Sequence, residues 1–130
     1  MRYLGIDWGK SRIGLSMADS ETRLATPFRV VKNATEAAKV IEDEEVEKII
    51  IGKPLTMAGE EGGMIKEVEK FIFELKKMTD KPIEIIDERL SSRAADDLMR
   101  ERSSGQERDA IAAMLILQSY LDQEKDERNL

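Results

Sequence analysis

Residues 3–19 read "YLGIDWGKSRIGLSMAD", and one acid, Asp7, stands within its apolar, glycine-punctuated opening, a second, Asp19, closing the stretch. Residues 2–7, "RYLGID", have the composition of a strand, and "RIGLSMAD" from Arg12 has that of a second, with "WGKS" as the turn between them. A hairpin makes the two antiparallel. Side chains alternate along a strand, so Tyr3, Gly5 and Asp7 share one face while Leu4, Ile6 and Trp8 share the other. The pattern therefore places a carboxylate at the end of a strand whose opposite face is apolar.

Beyond the hairpin, "LATPFRVV" from Leu24 is a third strand, which Pro27 confines to an edge or a bulge. "NATEAAKVIEDEEV" has Asn33 and Glu36 at capping-box spacing and predicts a helix. "KIIIGKP" is a β-branched run suited to a central strand covered on both faces. A loop, "GEEGG", leads into "MIKEVEKFIFELKKM", where Ile65, Val68, Ile72 and Leu75 recur at helical steps. "KPIEIIDE" gives a fifth strand, "SSRAADDLMRERSS" a polar helix with a serine cap, and "RDAIAAMLILQSYL" a helix apolar on nearly every side. The last eight or so residues are expected to fray. Hairpin strands run antiparallel and strands separated by helices usually run parallel, so the expected fold is α/β. It has a mixed five-stranded sheet, three strands antiparallel and then two parallel, with helices on both faces.

The 130 residues suit a single domain, 1–130, and contain neither cysteine nor histidine. Disulfides, thiolate metal sites, Ser-His-Asp hydrolysis and imidazole acid-base chemistry are all excluded. Any catalysis must run on carboxylates, amines or hydroxyls. No secretory leader or membrane-spanning run is evident, and a cytoplasmic protein is expected. The net charge of −6 argues against nucleic-acid binding through overall charge, so local placement must decide.

Three acids fall at element ends: Asp7, one of the pair Asp87 and Glu88, and Asp109. Each alone has an ordinary role, as a turn acceptor, an exposed strand terminus or a helix cap. Strand ends on one edge of an α/β sheet gather in space, however, and clustered carboxylates repel unless a cation holds them. Oxygen-only donors favour Mg²⁺ or Mn²⁺, and two such ions can drive phosphodiester hydrolysis without histidine. Alternation puts Asp87 and Glu88 on opposite faces, and by itself does not say which one meets Asp7.

"GIDWGKSRIGLSMAD", "IIIGKPLTMAG", "DERLSS" and "RDAIAAMLILQSYL" together resemble, in order, the blocks of the YqgF/RuvX-type family of pre-16S rRNA nucleases and Holliday junction resolvases. The resemblance runs to about Asp122. It implies an RNase H-like fold and a metal-dependent nuclease using two Mg²⁺ or Mn²⁺ ions, linked to 5′-end maturation of small-subunit ribosomal RNA or to cutting four-way DNA. It carries the acidic triad onto Asp7, Glu88 and Asp109, with Asp7 bridging both ions, and so selects Glu88 over Asp87. Two positions depart from the family pattern: Ala58 replaces a usual acid, and Lys53 a usual apolar residue.

Lys10, Arg12, Lys53 and Arg89 lie beside these blocks and are candidate phosphate contacts, whereas Arg100 and Arg102 look like a solvated polar face. Trp8 follows Leu4 and Ile6, so packing is expected rather than base stacking. "GEEGG" lacks the Lys-Ser/Thr of a P-loop. "GIDWGKSRIG" also resembles the phosphate hairpin of sugar-kinase, actin and chaperone ATPases, which need two such lobes where this chain has length for one. The remaining alternative is a non-catalytic RNA-binding or assembly module. The expected partner is structured RNA, with branched DNA second, and the expected state is a monomer or homodimer.

Overall fold

The computed structural model describes residues 1–53, 62–87 and 105–128. Strands β1 (Arg2–Asp7), β2 (Ile13–Asp19) and β3 (Thr26–Val31) come first, followed by helix α1 (Ala34–Asp43) and strand β4 (Lys48–Lys53). Helix α2 (Gly62–Met78), strand β5 (Ile83–Asp87) and helix α3 (Gly105–Arg128) complete the order. The sheet runs β3-β2-β1-β4-β5. β1–β2 and β2–β3 are antiparallel, whereas β1–β4 and β4–β5 are parallel. This is the mixed sheet the hairpin and the helical crossovers predict.

The strand alternation divides the core in two. Leu4, Ile6, Ile13, Leu15, Ile49 and Ile51 face α1 and α2, which contribute Val40, Ile41, Val68, Phe71, Ile72 and Leu75. Trp8 packs against this layer, as its phase requires. Tyr3, Ala18 and Ile50 face the other way, onto Ile116, Leu117, Tyr120 and Leu121 of α3. One residue of strand phase thus decides which helix a side chain meets.

Pro27 sits on the outermost strand beside a register shift at Leu15/Ser16, where its missing N–H interrupts the ladder least. Asn33 caps α1 by accepting from the Glu36 amide at 2.9 Å, and Glu36 in turn accepts from the Lys32 amide. The helix closes at Asp43 rather than running to Val46. Glu45 takes a left-handed φ of 53°, and the Val46 amide donates back to the Ile41 carbonyl.

One end differs from expectation: α2 starts at Gly62, inside the segment assigned to a loop. α3 is helical to Arg128, and its Tyr120–Glu124 turn is tied to β4 and to the β2–β3 connection. Glu124 accepts from Arg23 at 3.1 Å and from the Tyr120 hydroxyl at 2.8 Å, while Lys48 donates to that same hydroxyl. The polar helix expected over "SSRAADDLMRERSS" and the stretch Gly59–Glu61 lie outside the described residues.

Candidate active site

Asp7 is the last residue of β1, half-buried, and its ladder partners on either side are both glycines, Gly14 of β2 and Gly52 of β4. Paired residues share a face, so this row lies on the side that α3 covers, and it continues to Ile86 of β5. Three glycines in the sheet let α3 approach closely, two of them to its backbone and the third to a side chain. A β-carbon on Gly14 would sit 1.9 Å from the Asp109 carbonyl oxygen, one on Gly5 2.8 Å from that of Ala113, and one on Gly52 2.5 Å from Ile116 Cδ1. Ser16, fully buried, locks the same contact by donating to the Ala113 carbonyl at 2.7 Å.

The result is that Asp109, on the second turn of α3, is delivered beside Gly14, and Gly14 is the direct partner of Asp7. Burial pushes the Asp109 carboxyl above the usual carboxylate range; the Arg12 guanidinium pulls it back, and the negative charge of Asp7 adds to the rise. The two acids therefore sense one another. Arg12 Nε lies 2.9 Å from Asp109 Oδ2 as a charge pair, with the arginine side chain half exposed. That oxygen is itself buried and accepts no aligned hydrogen bond among the described residues.

Of the candidate residues, then, Asp7 and Asp109 come together and Arg12 joins them. Lys10 is exposed in the β1–β2 turn, on the same edge. Lys53 ends β4 at the register position paired with Asp87, one step beyond the Gly52–Ile86 pair that shares the row of Asp7. Glu88 and Arg89, with Ala58, lie outside the described residues. Among the described residues no group of three acids gathers as a metal site, so the described part of the proposed triad is the pair Asp7 and Asp109.

A divalent ion fits this pair on chemical grounds. The donors are hard oxygens of the kind a divalent ion takes, and the Asp109 oxygen is buried, with Arg12 Nε beside it but not aligned to donate. The sequence reading missed Gly14 and Gly52. The signal was present, because an isolated glycine inside a strand marks close backbone approach.

No helix among the described residues is long and apolar enough to cross a membrane. Residues 1–123 match the profile of the family described as "RuvX: Holliday junction resolvase". Proteins named "Putative pre-16S rRNA nuclease" are 40% identical in Endomicrobium trichonymphae, over 97% of this chain and 99% of the relative. In an Anaeromyxobacter species the identity is 41%, over 94% and 97%. Among solved structures, Thermus thermophilus RuvC in complex with a Holliday junction superposes with a TM-score of 0.68 at 13% identity, over 96% of each chain. The fowlpox virus resolvase with junction DNA gives 0.61 at 10% identity, over 95% and 98%. These two likenesses establish the RNase H-like fold. With a profile spanning residues 1–123 and relatives aligned over nearly their whole length, the chain belongs to the RuvX family.

Proposed function

We propose that this protein is a divalent-metal-dependent nuclease that hydrolyses phosphodiester bonds, acting in the cytoplasm on the 5′ end of pre-16S ribosomal RNA. The observation that carries the reading is the convergence of Asp7 and Asp109 through the Gly14 contact, in a chain whose relatives are named for that substrate. Glu88 completes the carboxylate set. The family resemblance selects it over Asp87, and within β5 Asp87 stands one step out of the row that Ile86 shares with Asp7.

Asp7, Glu88 and Asp109 would hold two Mg²⁺ or Mn²⁺ ions. When bound, such ions activate a water and neutralise the leaving oxygen of a phosphodiester. The chain's own residues set the stage for this. Asp7 is fixed by the ladder on both sides, and Asp109 by the helix backbone against Gly14, so neither carboxylate must be ordered at the moment of reaction. Arg12, paired with Asp109, offsets part of the acid repulsion and stands ready for a substrate phosphate, as do Lys10, Lys53 and Arg89.

Cleavage of four-way DNA is the second reading, favoured by the description of the matched family. Both are tested by giving the purified protein Mn²⁺ or Mg²⁺ with a precursor ribosomal RNA fragment and, separately, a four-way DNA junction, then mapping cuts. Cuts near the mature RNA 5′ end are expected. Paired symmetric cuts in the junction alone would transfer the assignment to resolvase, and no cut in either would leave a binding module.

A further inference from the structure

Helix α2 buries Val68, Phe71, Ile72 and Leu75 against the sheet. At about 100° per residue the opposite pole of the helix is occupied by Lys66, Lys70, Phe73 and Lys77, which fall within an arc of about 60°. All four are exposed, and Phe73 keeps 61% of its surface in water. The acids of the helix, Glu67, Glu69 and Glu74, lie outside that arc. Among the described residues none of the three lysines is ion-paired with a carboxylate. Lys77 Nζ instead lies 4.4 Å from the Phe73 ring centroid.

A solvated helix face accounts for lysines, but not for a large aromatic side chain exposed among them. A lysine or glutamate there would propagate the helix at least as well and would leave no apolar surface in water. Cations spaced along a groove or ridge with an aromatic ring between them are what single-stranded nucleic acid uses: phosphates on the ammonium groups and an unpaired base on the ring. The stripe is also anomalous for the chain, whose net charge is −6.

Its direction fits as well. Only four residues separate Met78 from Ile83, which pairs with Ile49 near the start of β4, so the C-terminal end of α2 lies at the edge of the sheet away from Asp7. Seventeen helical residues extend about 25 Å, which returns the first turn of α2 to the edge where β1 and β4 end. The stripe thus starts about one turn from the edge at which β1 and β4 end and runs over about 16 Å between Lys66 and Lys77, on the layer opposite to α3, so that a strand crossing that edge from Asp7 would meet it.

We propose that the Lys66–Lys70–Phe73–Lys77 face of α2 is a docking track for an unpaired strand of nucleic acid that flanks the bond being cut. The proposal deepens the nuclease reading and rests on it. The track holds the flank through phosphate contacts and one stacked base, and so favours substrates whose cut site adjoins a single-stranded extension over those whose strands are paired throughout.

The test compares the parent with Phe73→Ala and with a triple Lys66→Glu, Lys70→Glu, Lys77→Glu variant. Each is offered the same hairpin RNA with and without an unpaired extension, and KM and kcat are measured at several salt concentrations. All four positions are solvent-facing, and thermal melting checks that the variants fold. Phe73→Ala is expected to raise KM for the extended RNA about tenfold, and the triple variant to lower the salt dependence of log KM by about two, at roughly 0.7 per lost phosphate contact. Neither should change KM for the unextended RNA, nor kcat at saturation. Variants with the parent's KM on extended RNA would overturn the track while leaving the nuclease reading in place, and would reassign the face to an acidic protein partner. Failure of the parent itself to bind or cut either RNA would remove both.

Discussion

Gly14 and Asp109 are in backbone contact: a single methyl on the glycine would lie 1.9 Å from the carbonyl oxygen of the aspartate. Because Gly14 is also the ladder partner of Asp7, this one approach joins the first strand and the last helix at the carboxylates. Gly14→Ala must therefore push α3 off the sheet. A loss of about 1–3 kcal/mol or more in urea unfolding is expected, together with loss of cleavage. Gly52→Ala meets the buried Ile116 side chain rather than helix backbone and should cost less on both counts. Equal effects of the two substitutions would contradict the special role of the Gly14 contact.

Asp109 gives the metal-free protein a pH signature. Its carboxyl is raised above 3.8 first by burial and then by Asp7, so the folded chain binds this proton more tightly than the unfolded chain does. Its contribution to stability therefore falls as pH rises from the unfolded value through the raised folded one, and above that window the full cost of the charge is present. Asp109→Asn cannot ionise. It should raise the metal-free denaturation midpoint at neutral pH, and the advantage should vanish below pH 3.8. The lost pairing with half-exposed Arg12 subtracts little. A difference that stayed constant across pH would show that the carboxylate is not under this strain.

The far end of α3 makes a separate prediction. Tyr120 is 7% exposed, and its hydroxyl is held between Lys48 and Glu124, with its ring edge-on to Tyr3 at 6.2 Å. Burial, followed by the Glu124 hydrogen bond, pushes its pKa well above the ordinary tyrosine value, so it stays protonated and donating. Tyr120→Phe leaves the ring and removes the hydroxyl from both partners. About 1–3 kcal/mol should be lost in denaturant titration with kcat unchanged, because the site lies at the other end of the helix. A kcat loss larger than the stability loss explains would mean that the two ends of α3 are coupled.

Much of this was legible in the residues themselves. Alternation in "RYLGID" separated Tyr3, Gly5 and Asp7 from Leu4, Ile6 and Trp8, and the two helical layers divide along that line. Pro27 marked the edge strand, and Asn33 the start of α1. What local pattern could not supply was distance between segments. The Arg12–Asp109 pair, the ties of Tyr120 to Lys48 and of Glu124 to Arg23, and the contact at Gly14 all join parts of the chain remote in sequence. Register did the same for the fifth strand. Periodicity left Asp87 and Glu88 equivalent, and only the pairing of Gly52 with Ile86 relates that strand to the row of Asp7.

The most direct measurement of the central claim is Mn²⁺-dependent cleavage of the precursor RNA fragment by Asp7→Asn, set beside calorimetric titration of Mn²⁺ into the same folded variant. The substitution keeps the side-chain volume and removes the negative charge that bound ions would require. Cleavage should fall to background and Mn²⁺ binding should weaken sharply, while the melting temperature holds or rises. A variant that cuts the RNA as fast as the parent, or binds Mn²⁺ equally well, would show that Asp7 is not the carboxylate on which the site is built.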